Sequence, residues 1–531
     1  MPARRIAFLF LILLISNAAA QSSAGSAAIG GTVYGPTDAA IADAEVRIEH
    51  KETGQRRSLK TNATGFFQAA GLLVGAYEIE VSSPGFQSAV RKADLTVGAN
   101  LTLDFRLEVG AVTTRVEIRD EAPLIAAAEP ADSTVIGQNS VTNLPIRGRN
   151  FVEFAQLTPG VSQEGDRGGL VVAGQRSINS NVSVDGMDFN DSLQGNQRGG
   201  NDAVFFFPQL AIREFQMVRA GANAEVGRTN AGFLNAVTKS GSNEIHGELL
   251  YLNRSPQLTD TDAFGRSQNN RQQQFGGAVG GAIVKDRLFY FGAIEQNFLR
   301  TPFFVKFDPQ PANGPPVPAA LQQLEGENTS TNDTTALFTR LDWTVNQKNT
   351  VSFNYLFSRL EGDNFGITSS QTNFAATIGY SNQRRSNSVK ASWQTILTPT
   401  KINELRFQWA QDDREETANT LGPEIRITGF GRIGGPQSRP QTLNSERWQW
   451  VDTLSGVSGA HNWKLGVDVN VSPQFQNRAQ QYQGVYNFVS LAAYLSRTIQ
   501  RFQQAIPLTP DSGGYRGTQQ EWALFVTDQW Q

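Results

Sequence analysis

The feature that most restricts this chain is a two-residue alternation of apolar and polar side chains, repeated through its C-terminal half. Between Thr350 and Ser358, Val351, Phe353, Tyr355 and Phe357 share one face, with Ser352 and Asn354 on the other. Glu404 to Trp409 sets Leu405, Phe407 and Trp409 against Glu404, Arg406 and Gln408. Trp463 to Val471 sets Trp463, Leu465, Val467, Val469 and Val471 against Lys464, Asp468 and Asn470. Val389 to Leu397 repeats the scheme, with Lys390, Ser392 and Gln394 on the polar side. A period of two is the period of a strand. A sheet with one apolar and one charged face is either half of a soluble sandwich or a barrel wall in lipid.

Connection lengths separate these two. Short turns at Lys285-Asp286, 346–349, 399–401 and 456–461 alternate with long polar connections near 255–272, 301–332, 361–384, 412–445 and 472–516. A soluble sandwich has no reason to lengthen every second loop, because most domain loops are only a few residues long. An outer-membrane barrel keeps short turns inside and long loops outside. Trp343, Trp448, Trp450, Trp463 and Trp530 fall near strand ends, where interfacial aromatic girdles form. Polar strand residues such as Arg340, Asp342, Arg406 and Lys464 are then expected to face the lumen, solvating it and contacting whatever fills it.

The N-terminus gives a route to such a membrane. Arg4 and Arg5 precede an apolar run from Ile6 to Ile15, and Ala18-Ala19-Ala20 offers a cleavage site. That run is too short to span a bilayer as a helix, so residues 1–20 read as an export signal. No later apolar stretch is long enough for a transmembrane helix.

Composition excludes several function classes. With no Cys there is no thiolate nucleophile, disulfide or Cys-based zinc site. The three His residues, His50, His246 and His461, are not at ligand spacing. A net charge of -3 is too balanced for a nucleic-acid partner. No catalytic constellation and no cofactor motif in its proper context is found, so neither enzyme activity nor a cofactor is expected.

Residues 27–109 read as short strands between turns, the pattern of a small β-sandwich. Residues 112–245 mix strand-like and helix-like pieces. Phe151, Phe154 and Leu157 fall at helical spacing before Pro159-Gly160, and Val182 and Val184 alternate before an Asp185-Gly186 turn. The expected fold is therefore mainly β: a sandwich, a mixed α/β unit at 112–245, and an antiparallel transmembrane barrel over 246–531.

The first unit resembles the carboxypeptidase regulatory-like domain, a transthyretin-like sandwich, through Gly30-Gly31-Thr32-Val33, Thr61-Asn62-Ala63-Thr64-Gly65, Gly75-Ala76-Tyr77 and Pro84-Gly85-Phe86. His50 has none of the companions that a zinc peptidase needs, and no peptidase activity is implied. The remainder resembles the TonB-dependent receptors, specifically the Oar-like group. Leu144 to Phe151, Leu157 to Val161, Asp185-Gly186-Met187, Ile212 to Val218 and Ala224-Glu225-Val226-Gly227 followed by Ala231 to Gly241 look like that group's plug. Phe275 to Gly281 and Lys285 to Phe291 look like its first barrel hairpin.

The resemblance implies an outer-membrane importer. Its partners would be outer-membrane lipid, the TonB complex of the inner membrane, and a small or oligomeric extracellular ligand such as an oligosaccharide, siderophore or peptide. The expected TonB contact is Arg115, Val116, Glu117 and Ile118, an extended segment that serves equally well as a plain linker strand. No sharp TonB-box sequence precedes the plug. Tyr482, Tyr486 and Phe488 in a long loop are candidate ligand contacts, though loop aromatics pack on one another just as readily. Barrels that enclose a plug have about 22 strands, whereas residues 246–531 hold about ten, so the barrel is expected to be only its N-terminal part.

Two motifs are set aside. Gly429-Phe430-Gly431-Arg432-Ile433-Gly434 has dinucleotide-loop spacing but lies in a loop, with Pro436 following. Asp185, Asp188, Asn190 and Asp191 could ligate calcium but match no known loop, and are ordinary turn formers. Two other functions fit part of the pattern. A surface adhesion or assembly protein would use the sandwich and loops without importing anything. A periplasmic sugar-binding protein made of sandwiches would dissolve without detergent.

Overall fold

The computed structural model describes residues 25–110, 115–117, 132–144, 146, 151–164, 168–193, 195, 207–260, 269–367, 371–458, 461–506, 508 and 513–530. The export signal and Ile118 lie outside these residues.

The sandwich follows from alternation punctuated by turns. One sheet joins Phe66–Leu72, Ala27–Tyr34 and Asn100–Thr102, with Phe105–Arg106 also on Ala27–Tyr34. The other runs Arg56–Lys60, Glu45–His50, Gly75–Ser82, Ser88–Leu95 and Arg115–Glu117. Ile29, Val46, Ile48, Phe67, Ile79 and Phe105 close the core between them. The 61–65 turn is built by Asn62, whose Oδ1 accepts from the backbone N–H groups of Thr64 and Phe66, both at 2.9 Å. Such a side-chain-to-backbone bond is why Asn marks turns. The Ser88–Leu95 strand, which carries Arg91, Lys92 and Asp94, was not evident from the alternation.

The second unit is a five-stranded sheet ordered Asp132–Ile136, Ile212–Ala220, Phe233–Thr238, Asn181–Val184 and Met187–Asp188. The expected Asp185-Gly186 turn joins the last two, with both residues at positive φ (49° and 71°), as a two-residue hairpin loop requires. A short helix, Phe151–Ala155, lies in the expected place.

From His246 onward, ten strands form one meander: His246–Arg254, Arg271–Val284, Leu288–Val305, Gly326–Asn346, Asn349–Phe365, Tyr380–Thr398, Lys401–Ala418, Gln441–Ser458, His461–Arg478 and Gly514–Trp530. Each pairs antiparallel with the next, and among the described residues the first and last do not pair with each other. Several are far longer than the ~9–11 residues that cross a bilayer, so their ends project beyond it. The alternation has its expected orientation. Phe353, Leu405 and Trp450 are about two-fifths exposed on the outer face, whereas Asn354, Arg406 and Gln408 are buried on the inner one. Trp343, Trp448, Trp450 and Trp530 stand on the outside, Trp448 and Trp450 in the middle of Gln441–Ser458 and not at its end as expected, and Trp463 is only 4% exposed. Its ring lies over Gly456 on the paired strand, where no side chain keeps it away. No helix among the described residues is long and apolar enough to cross a membrane.

The mixed unit fills the wall's concave side. Phe154, Phe215, Met217 and Leu234 of the plug share one apolar core with Phe291, Phe338 and Leu356 of the wall. The sandwich sits across the short-turn end. Arg57 Nη2 donates to the Pro399 carbonyl at 3.1 Å, Gln394 Nε2 to the Gly71 carbonyl at 3.0 Å, and the Asn243 N–H to the Glu52 carbonyl at 2.9 Å.

Candidate functional site

The site is the plugged lumen with its two mouths. Strand alternation brings one polar row per strand inward, and the plug's loops meet those rows.

The centre is a charged junction between plug and wall. Arg228, in a plug loop at positive φ, reaches Asp468 at 3.1 Å, Asp188 at 3.5 Å and the Glu521 carboxylate. Asp188 also receives Arg447 at 3.1 Å, and Gln449 accepts its backbone N–H at 3.1 Å. Nearby, Lys464 pairs with plug Glu225 at 2.7 Å, and Lys390 donates to the Val184 carbonyl at 2.6 Å. Arg406 donates to the Gly186 carbonyl at 3.2 Å, and Arg340 donates to Thr238 Oγ1 at 2.7 Å while pairing with Asp342 at 2.8 Å. Arg384 bridges plug Asp191 at 3.1 Å and wall Asp412. The residues expected to line the lumen therefore do so, and they hold the plug. Buried ions this well matched are costly to break singly.

Asp185, Asp188 and Asp191 face arginines and backbone donors. Asp185 Oδ1 accepts the Thr238 N–H at 2.9 Å, and Asp191 Oδ1 the Leu193 N–H at 2.9 Å. Among the described residues no cluster of ligands suited to a metal ion occurs. Sequence reading missed Arg228, although it directly follows the Glu225-Val226-Gly227 motif.

At the short-turn mouth the sandwich binds the plug. Glu52 and Arg213 form a bidentate pair at 2.9 and 3.0 Å. Burial pulls Glu52 upward, but the hydrogen bonds and charge of Arg213 outweigh it and hold the carboxyl below its ordinary value. Glu214 accepts the Val97 N–H, and burial pushes its carboxyl up to about 6. Val74 and Val97 of the sandwich pack on Val237 of the plug. A cavity of about 110 Å³, lined by His50, Asp185, Arg213, Arg340, Lys390 and Arg406 among others, lies where sandwich, plug and wall meet. Burial lowers the pKa of His50. Of the candidate TonB contact, Arg115, Val116 and Glu117 form an edge strand parallel to Ser88, Ala89 and Val90 of the sandwich.

At the long-loop mouth, two long connections fold together. Gly431–Gly434, Glu424–Ile427, Val485–Phe488 and Arg501–Gln503 make a four-stranded cap sheet, which takes up the glycine motif at 429–434 as a hairpin. Phe303, Phe307, Leu321, Ile427, Phe430 and Leu491 form part of its core. Phe488 is buried in that core, with Tyr494 edge-on at 5.3 Å. Tyr486 is half-buried against Phe502 at 4.5 Å, and Tyr482 is half-buried in the preceding turn. The three candidate aromatics thus lie in one loop unit, with the two tyrosines nearer its surface.

Comparison with known proteins agrees with this geometry. The carboxypeptidase regulatory-like domain matches residues 28–108. The outer membrane beta barrel domain matches residues 237–313 and 302–531. The TonB-dependent transporter Oar of Myxococcus xanthus is 26% identical over 308 residues, covering 54% of this chain and 28% of that protein. The outer membrane transporter YddB from Escherichia coli superposes with a TM-score of 0.51 at 11% identity, over 75% of this chain and 54% of that one. A variant of the ferric enterobactin receptor PfeA from Pseudomonas aeruginosa gives 0.51 at 13% identity, over 75% and 55%. The chain therefore spans about a quarter of Oar and about half of each solved structure. Its alternating wall and the match across residues 237–531 place it in the outer membrane beta barrel domain family, resident in the outer membrane, and the relatives it resembles include a TonB-dependent transporter.

Proposed function

We propose that this chain imports an extracellular ligand, an oligosaccharide, siderophore or peptide, across the outer membrane with energy from the TonB complex. Binding and import, not catalysis, is the proposed activity. The observation that carries this reading is the plug's attachment. It is held in the lumen by discrete ion pairs, Arg228 with Asp468 and Glu521, Lys464 with Glu225, and Arg384 with Asp191, which a pull from the periplasm can exchange. Tyr482 and Tyr486 on the outer cap are the proposed ligand contacts, since aromatic faces suit sugar rings and aromatic chelators. The segment Arg115 to Ile118 is the proposed strand for TonB, by addition to a sheet edge. Deleting residues 113–118 should abolish uptake across a panel of labelled ferric siderophores, oligosaccharides and peptides while leaving surface binding intact. Uptake that survives the deletion defeats the reading. The folded outer cap favours a second reading, surface adhesion, which predicts binding that is indifferent to the deletion and no uptake by the parent protein.

A further inference from the structure

We propose that the sandwich is a periplasmic gate: it must leave the plug before the lumen can open, and the Arg115–Glu117 strand is the handle that moves it. The inference rests on the transport reading above. Three observations carry it.

The sandwich closes the periplasmic mouth by contacts on both plug and wall. Glu52 and Arg213 pair in bidentate fashion, the Val97 N–H donates to buried Glu214, and Val74 and Val97 cover Val237. Arg57 and Gly71 bond to the wall near its 398–401 turn. A plug moving toward the periplasm must displace all of these.

The handle belongs to the gate. Arg115–Glu117 pairs with Ser88–Leu95 at one end of the sandwich sheet, and no further strand lies beyond it in that sheet among the described residues. Such an edge accepts a strand from a partner. A strand added there extends the sandwich's own sheet, so tension on it loads the sandwich as well as the plug.

The contacts also suit reversible release. The Glu52–Arg213 pair is polar and partly exposed, the Val97–Glu214 bond is a single buried hydrogen bond, and the apolar parts are small: three valines at the plug, and Ala28 and Ala70 against Val457 of the wall. An interface of this kind opens without unfolding either partner.

The absence of Cys allows a direct test in cells expressing the full chain. Val97→Cys reports the sandwich–plug interface, with Val74→Cys as a second reporter should the first misfold, and Asn190→Cys, at the position whose carbonyl accepts from Arg447 of the wall at 2.9 Å, reports the plug–wall interface. All three positions are buried at rest. A small maleimide is the probe, in TonB-proficient and TonB-deleted cells. Active TonB should label both interfaces on the order of tenfold faster. Labelling of Asn190→Cys with Val97→Cys and Val74→Cys still protected overturns the gate and leaves import standing. Equal, slow labelling of all three in both strains overturns the gate and the import reading together.

Discussion

At the residue scale the functional load falls on buried charges. Glu214 is the clearest case, because its carboxyl is pushed to about 6 from an ordinary 4.5 chiefly by burial, with Asp94 adding to the rise and the Val97 N–H and Arg213 opposing it. A carboxyl whose pKa is higher in the docked state favours docking when protonated. Its contribution is therefore complete below about 4.5 and is lost as pH rises through about 6, a swing of up to about 2 kcal/mol. Glu214→Gln keeps an acceptor for Val97 and removes the titration. Maleimide labelling of Val97→Cys, divided at each pH by the rate of a free thiol to remove the rise in thiolate, should accelerate between pH 4.5 and 6 in the parent and stay flat in the Gln variant. Comparing the two cancels His50, which titrates in both. Arg228 is the second case. Replacing it with Ala leaves Asp468 and Glu521 facing each other without their shared cation, which should loosen the plug by about 3–5 kcal/mol. Faster trypsin cleavage of the plug in detergent would show this. Arg228→Lys should recover only part, since one ammonium cannot fan out to three carboxylates.

At the element scale the wall strands were legible because lipid and water impose opposite demands on alternate residues. Phe407 stands on the lipid side between Trp448 and Trp450, with ring centroids at 6.1 and 5.7 Å. Phe407→Arg should cost about 2–4 kcal/mol of wall stability, read as a lower temperature for loss of heat-resistant gel mobility. Phe407→Leu should remain near the parent. The polar rows at Arg340, Arg406 and Lys464 were legible for the same reason, and so was their contact with the plug. What was not legible was pairing at a distance. The outer cap joins Glu424–Ile427 in parallel to Val485–Phe488 across two separate connections, and nothing local marks that union. Glu424-Ile425-Arg426-Ile427 does alternate, but four residues inside a long polar stretch do not stand out from a loop. The same blindness hid Arg228 and the Glu52–Arg213 pair, because a sequence shows which residues can pair and not which ones the fold brings together.

At the scale of the whole molecule the three units are held by two separable sets of contacts. Plug and wall share an apolar core and several buried ion pairs, whereas sandwich and plug share one salt bridge, the Val97–Glu214 and Asn243–Glu52 hydrogen bonds and three valines among the contacts described. The sandwich also has its own closed core, in which Ile29, Val33, Val46, Ile79 and Phe105 are all buried. These facts make the sandwich a passenger in folding and not a scaffold for the plug. Removing residues 27–109 should leave Arg228, Lys464 and Arg384 in place, because none of their carboxylate partners lies in the sandwich. It should uncover Glu214 and Val237, on the plug strands Ile212–Ala220 and Phe233–Thr238. Limited proteolysis of the truncated protein in detergent should then cut first near these strands, while the wall and the inner plug remain one protected fragment. A plug digested as fast as an unfolded chain would mean that the sandwich seats it, and the apparent strength of the lumen ion pairs would have to be attributed to a clamp from below.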